Sequence, residues 1–420
     1  MSIGITQKDI YTSIYALVLF MPIFYPVLEI NFIVSSFFLS LVLIEKHFKY
    51  SLKLVSLSTL LILIFIVGFI SHFFYGPKIY DVIKDSVYLF KPIVYLFLGY
   101  FLASKIKDKN SVFKIIVYLG IVFAIIHLSK VLVFILNNDV YQISKIRYHG
   151  GKDNYMELVA CSLLVLNVKN RFFSIKVKFK KLFYFILTIS FIFYFSRTMV
   201  VAFVILWVAG NGYAKLTKNG IVILTSVSLG VILFYIALNS LNIDRGATGF
   251  EGFLYKLKIA PEEIFNAEID FDDPVDRWDH WRAYEASKAL EQLQHTPYNM
   301  GVFFGKGLGS LIDLGFEAEL GNEKMQYIPK IHNGYIYVLF KSGVIGLVMY
   351  VTFLFFLYLQ TYNKFKSVNQ IFINNLISAL GFFYIFSSFI ISGIYNPTDV
   401  ITVILGALLF LQYQYKKAIK

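Results

Sequence analysis

One cysteine, nine prolines and a charged fraction of 15% are what this 420-residue chain has least of. Each shortage excludes something. Cys161 lies in an apolar segment, so no disulfide braces any exposed part of the chain. So few charges, beside 58% hydrophobic and 18% aromatic residues, exclude a soluble domain. Acidic side chains are nearly absent from the apolar runs; Glu29, Glu157 and Asp399 all sit close to run ends. A proton- or sodium-coupled transporter needs such carboxylates and repeated halves, and the chain has no visible repeat. The seven histidines fall at no ligand spacing, so neither a structural metal nor another cofactor is expected.

Abundant instead are apolar runs near the roughly 20 residues that cross a hydrocarbon core of about 30 Å. Twelve spans are expected, at about 10–28, 30–44, 52–74, 87–104, 112–136, 155–168, 182–196, 198–210, 220–241, 333–359, 371–392 and 397–414. The first run has one upstream lysine, contains Met21-Pro22 and lacks a small-residue cleavage site, so it reads as a retained span. The net charge of +13 would suggest nucleic acid in a soluble protein. Here the basic residues sort by side of the membrane, and no nucleic-acid partner is expected. With the N-terminus taken as cytoplasmic, the cytoplasmic segments hold 21 Lys/Arg against three acids, Asp9, Glu45 and Asp108. The densest cluster is Lys169, Arg171, Lys176, Lys178, Lys180 and Lys181. That bias sets orientation and puts both termini inside.

Residues 242–331 break the apolar pattern, with nine Lys/Arg and sixteen Asp/Glu, a net −7. The expected fold is therefore an all-α polytopic membrane protein of about twelve transmembrane helices. A membrane portion, 1–241 with spans one to nine, is followed by one large, partly helical outer loop, 242–331, and by spans ten to twelve in 332–420. Residues 244–272 lack clear periodicity. The stretch 274–294 predicts one helix, with Asp273 as N-cap, Pro274 at its first position and Asp276 in its first turn. Arg277, Trp281, Tyr284 and Lys288 share one stripe of it, and Trp278, Arg282 and Glu285 another. The later Gly305-Lys306-Gly307-Leu308-Gly309-Ser310 follows no strand and precedes no Gly-Lys-Ser/Thr, so it reads as a tight return to the membrane rather than a nucleotide loop.

Charges near the membrane are costly and are functional candidates by default. Arg197, in Phe195-Ser196-Arg197-Thr198, stands between two apolar runs; its guanidinium suits bidentate phosphate binding, or else snorkels to anchor a hairpin. Arg277 and, in the shorter outer loop 137–154, Arg147 are candidates of the same type. Arg282 reads as structural, stacked on Trp278 and paired with Glu285. It lies five positions, roughly 140° around a helix, from Arg277, so the two do not readily hold one phosphate. His332, followed by Asn333-Gly334 at the mouth of span ten, is either a general base near neutral pH or a capping histidine. His280 and His295 read as surface residues, and His127 with Lys130 as candidates to line a cavity.

Four stretches together give a resemblance. They are Arg147-Tyr-His-Gly-Gly-Lys-Asp-Asn154; Phe195-Ser196-Arg197-Thr198; Arg277-Trp-Asp-His-Trp281 with Pro297 and the glycine run; and His332-Asn333-Gly334-Tyr335 with Gly343-Val-Ile-Gly346-Leu347. In order and topology they resemble the bacterial O-antigen polymerase and O-antigen ligase superfamily, over roughly residues 145–350. One departure is Asp153, where that family has a proline before the asparagine of the first loop. The resemblance implies a metal-independent, inverting glycosyltransferase of the inner membrane. Its donor would be an oligosaccharide on undecaprenyl pyrophosphate, and its outer loop would be periplasmic. It implies Arg197 and Arg277 on the pyrophosphate with Arg147 assisting, and His332 as base. Asn154, Arg282, Trp281, Tyr284, Asn333 and Tyr335 are implied substrate contacts, with Trp278 and Tyr298 as further sugar-stacking aromatics. Membrane lipid and a chain-length regulator protein are the implied partners. An O-antigen polymerase is favoured over a ligase that transfers to lipid A-core; a protein-glycosylating relative is a third reading, and a lipid-linked oligosaccharide flippase is the alternative of another class. The expected topology is checked by labelling single cysteines in a Cys161→Ser background: positions in 242–331 should react with an impermeant maleimide in intact cells, and positions in 171–181 only after permeabilisation.

Overall fold

The computed structural model of the protein describes the chain apart from residues 1–6, 45–50, 139–142, 152, 171–179, 245–248, 267, 269, 271–272, 321–322, 364–366 and 418–420. Each of the twelve apolar runs contains a helix. Before the acidic block these are α1 (Gln7–Phe24), α2 (Leu28–Ile44), α3 (Leu52–Ser71), α4 (Ile79–Lys105), α5 (Lys109–Asn138), α7 (Tyr155–Asn170), α8 (Lys180–Phe193), α9 (Arg197–Gly210) and α10 (Lys218–Ser240), with the short α6 (Ile143–Gly150) between α5 and α7. After it come α16 (Gly334–Tyr358), α17 (Val368–Ile390) and α18 (Ile401–Lys417). Among the described residues, six helices (α3, α4, α5, α10, α16 and α17) are long and apolar enough to cross a membrane. The expected count of twelve is thus met by half; α8 and α9, at 14 residues each, extend only about 21 Å.

The centre of the bundle is α4, α17 and α18, and α18 is buried from Ile401 to Gln412. Helices α4 and α18 touch through their backbones, because Gly99 faces the Val403 carbonyl and Gly406 faces that of Leu96, leaving no room for a Cβ at either position. Around this centre α3 packs on α16, α5 on α7, and α9 on α17. Helix α10 stands apart, with most of its apolar side chains exposed.

Block 242–331 departs most from expectation. It forms α11 (Gly249–Lys258), α12 (Glu262–Phe265), α13 (Pro274–Asp279), α14 (Trp281–Gln294) and α15 (Met300–Phe304), and then an antiparallel hairpin of β1 (Ile312–Leu320) and β2 (Glu323–Ile328). The single helix expected over 274–294 is two helices, interrupted at His280. The hairpin is an element the hydropathy reading passes over. Strand β1 alternates Ile312, Leu314, Phe316, Ala318 and Leu320 with Asp313, Gly315, Glu317 and Glu319, and lays its apolar side on α14.

Between α15 and β1 the glycine run lies as a strap across the helix bundle. Gly305, Gly307 and Gly309 all have left-handed φ, 77°, 79° and 81°, and face α16, the end of α3, and α4 in turn. The Lys306 N–H bonds Phe340 O at 2.8 Å, and the Leu308 N–H bonds Gly68 O at 3.0 Å. Beneath the strap Lys341 of α16 meets Asp85 of α4 at 2.5 Å, with side chains 0% and 1% exposed. Asp85 also accepts from Gly309 N–H at 2.7 Å, and Lys341 donates to Ser310 O at 2.5 Å. Breaking one partner of a buried pair leaves the other charged and unpaired. Asp85→Asn or Lys341→Met should therefore cost about 3–5 kcal/mol, and Asp85→Leu with Lys341→Met should recover part of the loss in thermal unfolding of the detergent-solubilised protein.

Candidate functional site

The apolar run that ends in α8 and the run that begins α9 meet at a sharp break. Phe195 takes φ 44°, and Ser196 caps α9 by accepting from Met199 N–H at 3.2 Å. That break makes Arg197 the first residue of α9. The Ser196 hydroxyl also donates to Asp153 Oδ2 at 2.8 Å, while Asp153 Oδ1 holds Arg147 at 3.2 Å. Asp153 thus brings the α6–α7 connection to the same place as Arg197. Asn154 accepts from Met156 and Glu157 N–H, at 3.0 and 3.3 Å, and so caps α7.

Arg197 and Arg282 converge on one carboxylate. Arg197 Nη2 lies 2.9 and 3.1 Å from the two oxygens of Glu263 on α12, and its Nη1 donates to the Lys256 carbonyl of α11. Arg282 Nη1 reaches Glu263 Oε2 at 3.2 Å. Burial pulls Arg282 below the ordinary arginine range; Glu263 opposes that and Arg197 adds to it. Arg282 therefore pairs with Glu263, not with Glu285 as its helical stripe suggests. The 140° separation from Arg277 presumes one continuous helix and lapses with the break at His280, which is itself buried at 9% exposure rather than superficial.

Glu285 serves His332 instead. Its Oε2 accepts both the backbone N–H and Nδ1–H of His332, at 3.0 and 2.9 Å, and its Oε1 accepts Trp281 Nε1–H at 2.6 Å. The carboxylate side chain is 3% exposed and the imidazole 52%. A carboxylate on Nδ1 fixes the tautomer whose Nε2 is an acceptor, and among the described residues Nε2 has no hydrogen-bond partner. The His332 backbone is seated on the bundle, where its carbonyl accepts from Ser392 N–H at 3.1 Å. Lys330, held well below the usual lysine range by burial, donates to Tyr395 O at 2.9 Å just upstream.

These groups enclose a cavity of about 330 Å³, lined by Arg147, Arg197, Lys256, Glu263, Trp278, Asp279, Trp281, Arg282, Leu320 and His332. Six of the residues singled out from sequence meet there: Arg147, Arg197, Arg282, Trp278, Trp281 and His332. Arg277 lies on α13 between Asp276 and the cavity-lining Trp278, and its side chain falls outside the described residues. Asn154, Tyr284, Asn333 and Tyr335 do not line the cavity. Tyr284 donates to Leu314 O at 2.6 Å and packs on Phe316 in the core between α14 and the hairpin. Asn333 caps α16 by accepting from Tyr335 and Ile336 N–H, and the Tyr335 hydroxyl bonds Ile385 O at 3.0 Å. Tyr298 is 94% exposed. His127 is packed inside the bundle, stacked on Tyr194 and bonded to Ser190, which in turn donates to Glu157.

Asp153, Lys256, Glu263 and Glu285 are what sequence reasoning missed. Glu285 carried a signal, since it stands on a stripe with Trp278 and one turn past Trp281. Glu263 carried none, because its segment has no periodicity to read. Comparison with family models gives no match to the chain, and comparison with curated proteins gives none either.

Proposed function

We propose that the chain is an O-antigen polymerase. It would join oligosaccharide repeats carried on undecaprenyl pyrophosphate at the periplasmic face of the inner membrane, with both termini in the cytoplasm. The observation that carries this reading is the meeting of three guanidinium groups and one oriented imidazole in a single cavity, from four separated stretches.

The chemistry needs two things, a sink for the leaving diphosphate and a base for the acceptor hydroxyl. Arg147, Arg197 and Arg282, with Arg277 on the adjoining short helix, supply positive charge where the diphosphate departs. Nε2 of His332 takes the proton of the acceptor hydroxyl as that oxygen attacks the anomeric carbon. The carbon–oxygen bond to the diphosphate breaks on the opposite face, its electron pair leaves with undecaprenyl pyrophosphate, and the anomeric configuration inverts. Glu285 steadies the imidazolium so formed, as the carboxylate of a Ser-His-Asp triad does. The exposed Trp278 offers an apolar face to sugar rings at the cavity wall, and the buried Trp281 packs behind it. The arginines carry the charge that a divalent cation supplies in other transfers of this kind, so a chelator should leave the rate unchanged.

In membranes from cells expressing the protein, His332→Ala should reduce polymerisation by about 10²–10⁴-fold, the usual worth of a general base. Arg197→Ala should abolish it, and Glu285→Gln should lower kcat more than it raises KM. A lipopolysaccharide gel from cells lacking the protein should show core with a single repeat and no ladder. Bare core with long lipid-linked chains would instead assign the ligase reaction, and full activity of His332→Ala would remove the mechanism. Binding of the lipid-linked oligosaccharide with no turnover would point to a flippase.

A further inference from the structure

Two of the three arginines of the cavity, Arg197 and Arg282, share one partner that the chain itself supplies. Arg197 begins α9 and Arg282 lies in the first turn of α14, yet their guanidinium groups point at one carboxylate, Glu263. Arg197 Nη2 reaches both oxygens, and Arg282 takes the edge of Oε2. A phosphate group presents oxygens to a guanidinium much as a carboxylate does, and bidentate pairing accepts either. The balance of charge is incomplete, however. One carboxylate is shared by Arg197 and Arg282, with Lys256 on the same walls; Arg147 is held by Asp153, and Asp279 is the other acidic residue in the lining. A diphosphate brings more negative charge to that place than Glu263 does.

The seat of Glu263 is also slight. Helix α12 is four residues long, and its N-cap, Pro261, gives it no side-chain cap bond. It rests against α14 without sealing to it. A groove of about 380 Å³, lined by Ile264, Phe265, Ala283, Ser287 and Leu290 among others, runs between them, and Phe265 is 80% exposed. The ion pairs of Glu263 thus stand out among the contacts that hold α12 over the cavity.

We propose that Glu263 is a built-in stand-in for one phosphate of the substrate, and that α12 is a plug which the incoming diphosphate displaces from Arg197 and Arg282. The inference rests on reading the cavity as a diphosphate site. It makes Glu263 a competitor of the ligand, not a contact to it, and the apparent affinity of the unaltered protein is then lowered by the fraction of molecules in which the plug is seated.

The test is equilibrium binding of undecaprenyl pyrophosphate to the full chain in lipid nanodiscs, with undecaprenyl phosphate as the reference ligand. Glu263→Gln and Glu263→Ala should both bind the diphosphate lipid more tightly, by about tenfold if the open form is one molecule in ten, and Arg197→Gln should bind it more weakly. Unaltered or weaker binding in both Glu263 variants, with thermal unfolding unchanged, would show that Glu263 merely holds the arginines in place and would overturn the plug. Equal affinity for the diphosphate and monophosphate lipids, indifferent to Arg197→Gln, would instead overturn the reading of the cavity, and the plug with it.

Discussion

Much of the molecule hangs on the ion pair between Asp85 and Lys341, sealed from solvent between α4 and α16. A charge inside an apolar bundle is costly unless it is paired and hydrogen-bonded, and here the partners of Asp85 Oδ2 and Lys341 include the backbone of the glycine strap. The pair therefore does more than join two helices. It fixes where the chain leaves α15 and starts the hairpin, and the hairpin in turn fixes where Ile328 hands over to the segment carrying His332. The alternating glycines belong to the same arrangement, since each faces a helix at a point with no room for a Cβ.

From that anchor the cavity is assembled by parts that are far apart in sequence. The bundle contributes Arg147 and Arg197 through two chain breaks tied together by Asp153 and Ser196. The acidic block contributes the opposing wall, Arg282 and Trp281 on α14, with Glu285 buried behind His332. A net-negative block thus delivers a cation to a cavity of cations, and uses its own carboxylates to hold those cations and the imidazole in position. The overall charge of a segment says little about the charge it places in a site.

Much of this is legible in the amino-acid sequence. Run lengths locate the helices, and the two short runs around Ser196 mark Arg197 as a residue with nowhere to hide. The position of His332 before Asn333-Gly334 at a helix start marks it as a candidate as well. What escaped has physical reasons. His280 breaks a helix without a glycine or proline to announce it, and that break rotates Arg282 toward Glu263. The partners of Arg197 and His332 lie 66 and 47 residues away, beyond anything local periodicity encodes. The β1 alternation was readable, but a block treated as helical loop hides it. Hydropathy also counts apolar runs without regard to the 14-residue length at which α8 and α9 stop.

Helix α10 shares so little surface with the bundle that the protein core has almost no say in where it sits. Most of the apolar surface of this 23-residue helix faces away from the rest of the chain, as a lipid-facing helix would. Yet α10 leads directly to α11, whose Lys256 carbonyl takes a hydrogen bond from Arg197, and Tyr235 of α10 bonds the Leu257 carbonyl at 3.0 Å. One wall of the cavity is thus moored to an element whose solvent is lipid. The thickness and packing of the surrounding membrane become part of the structure of the site, and a detergent micelle replaces a component of the protein rather than a medium around it.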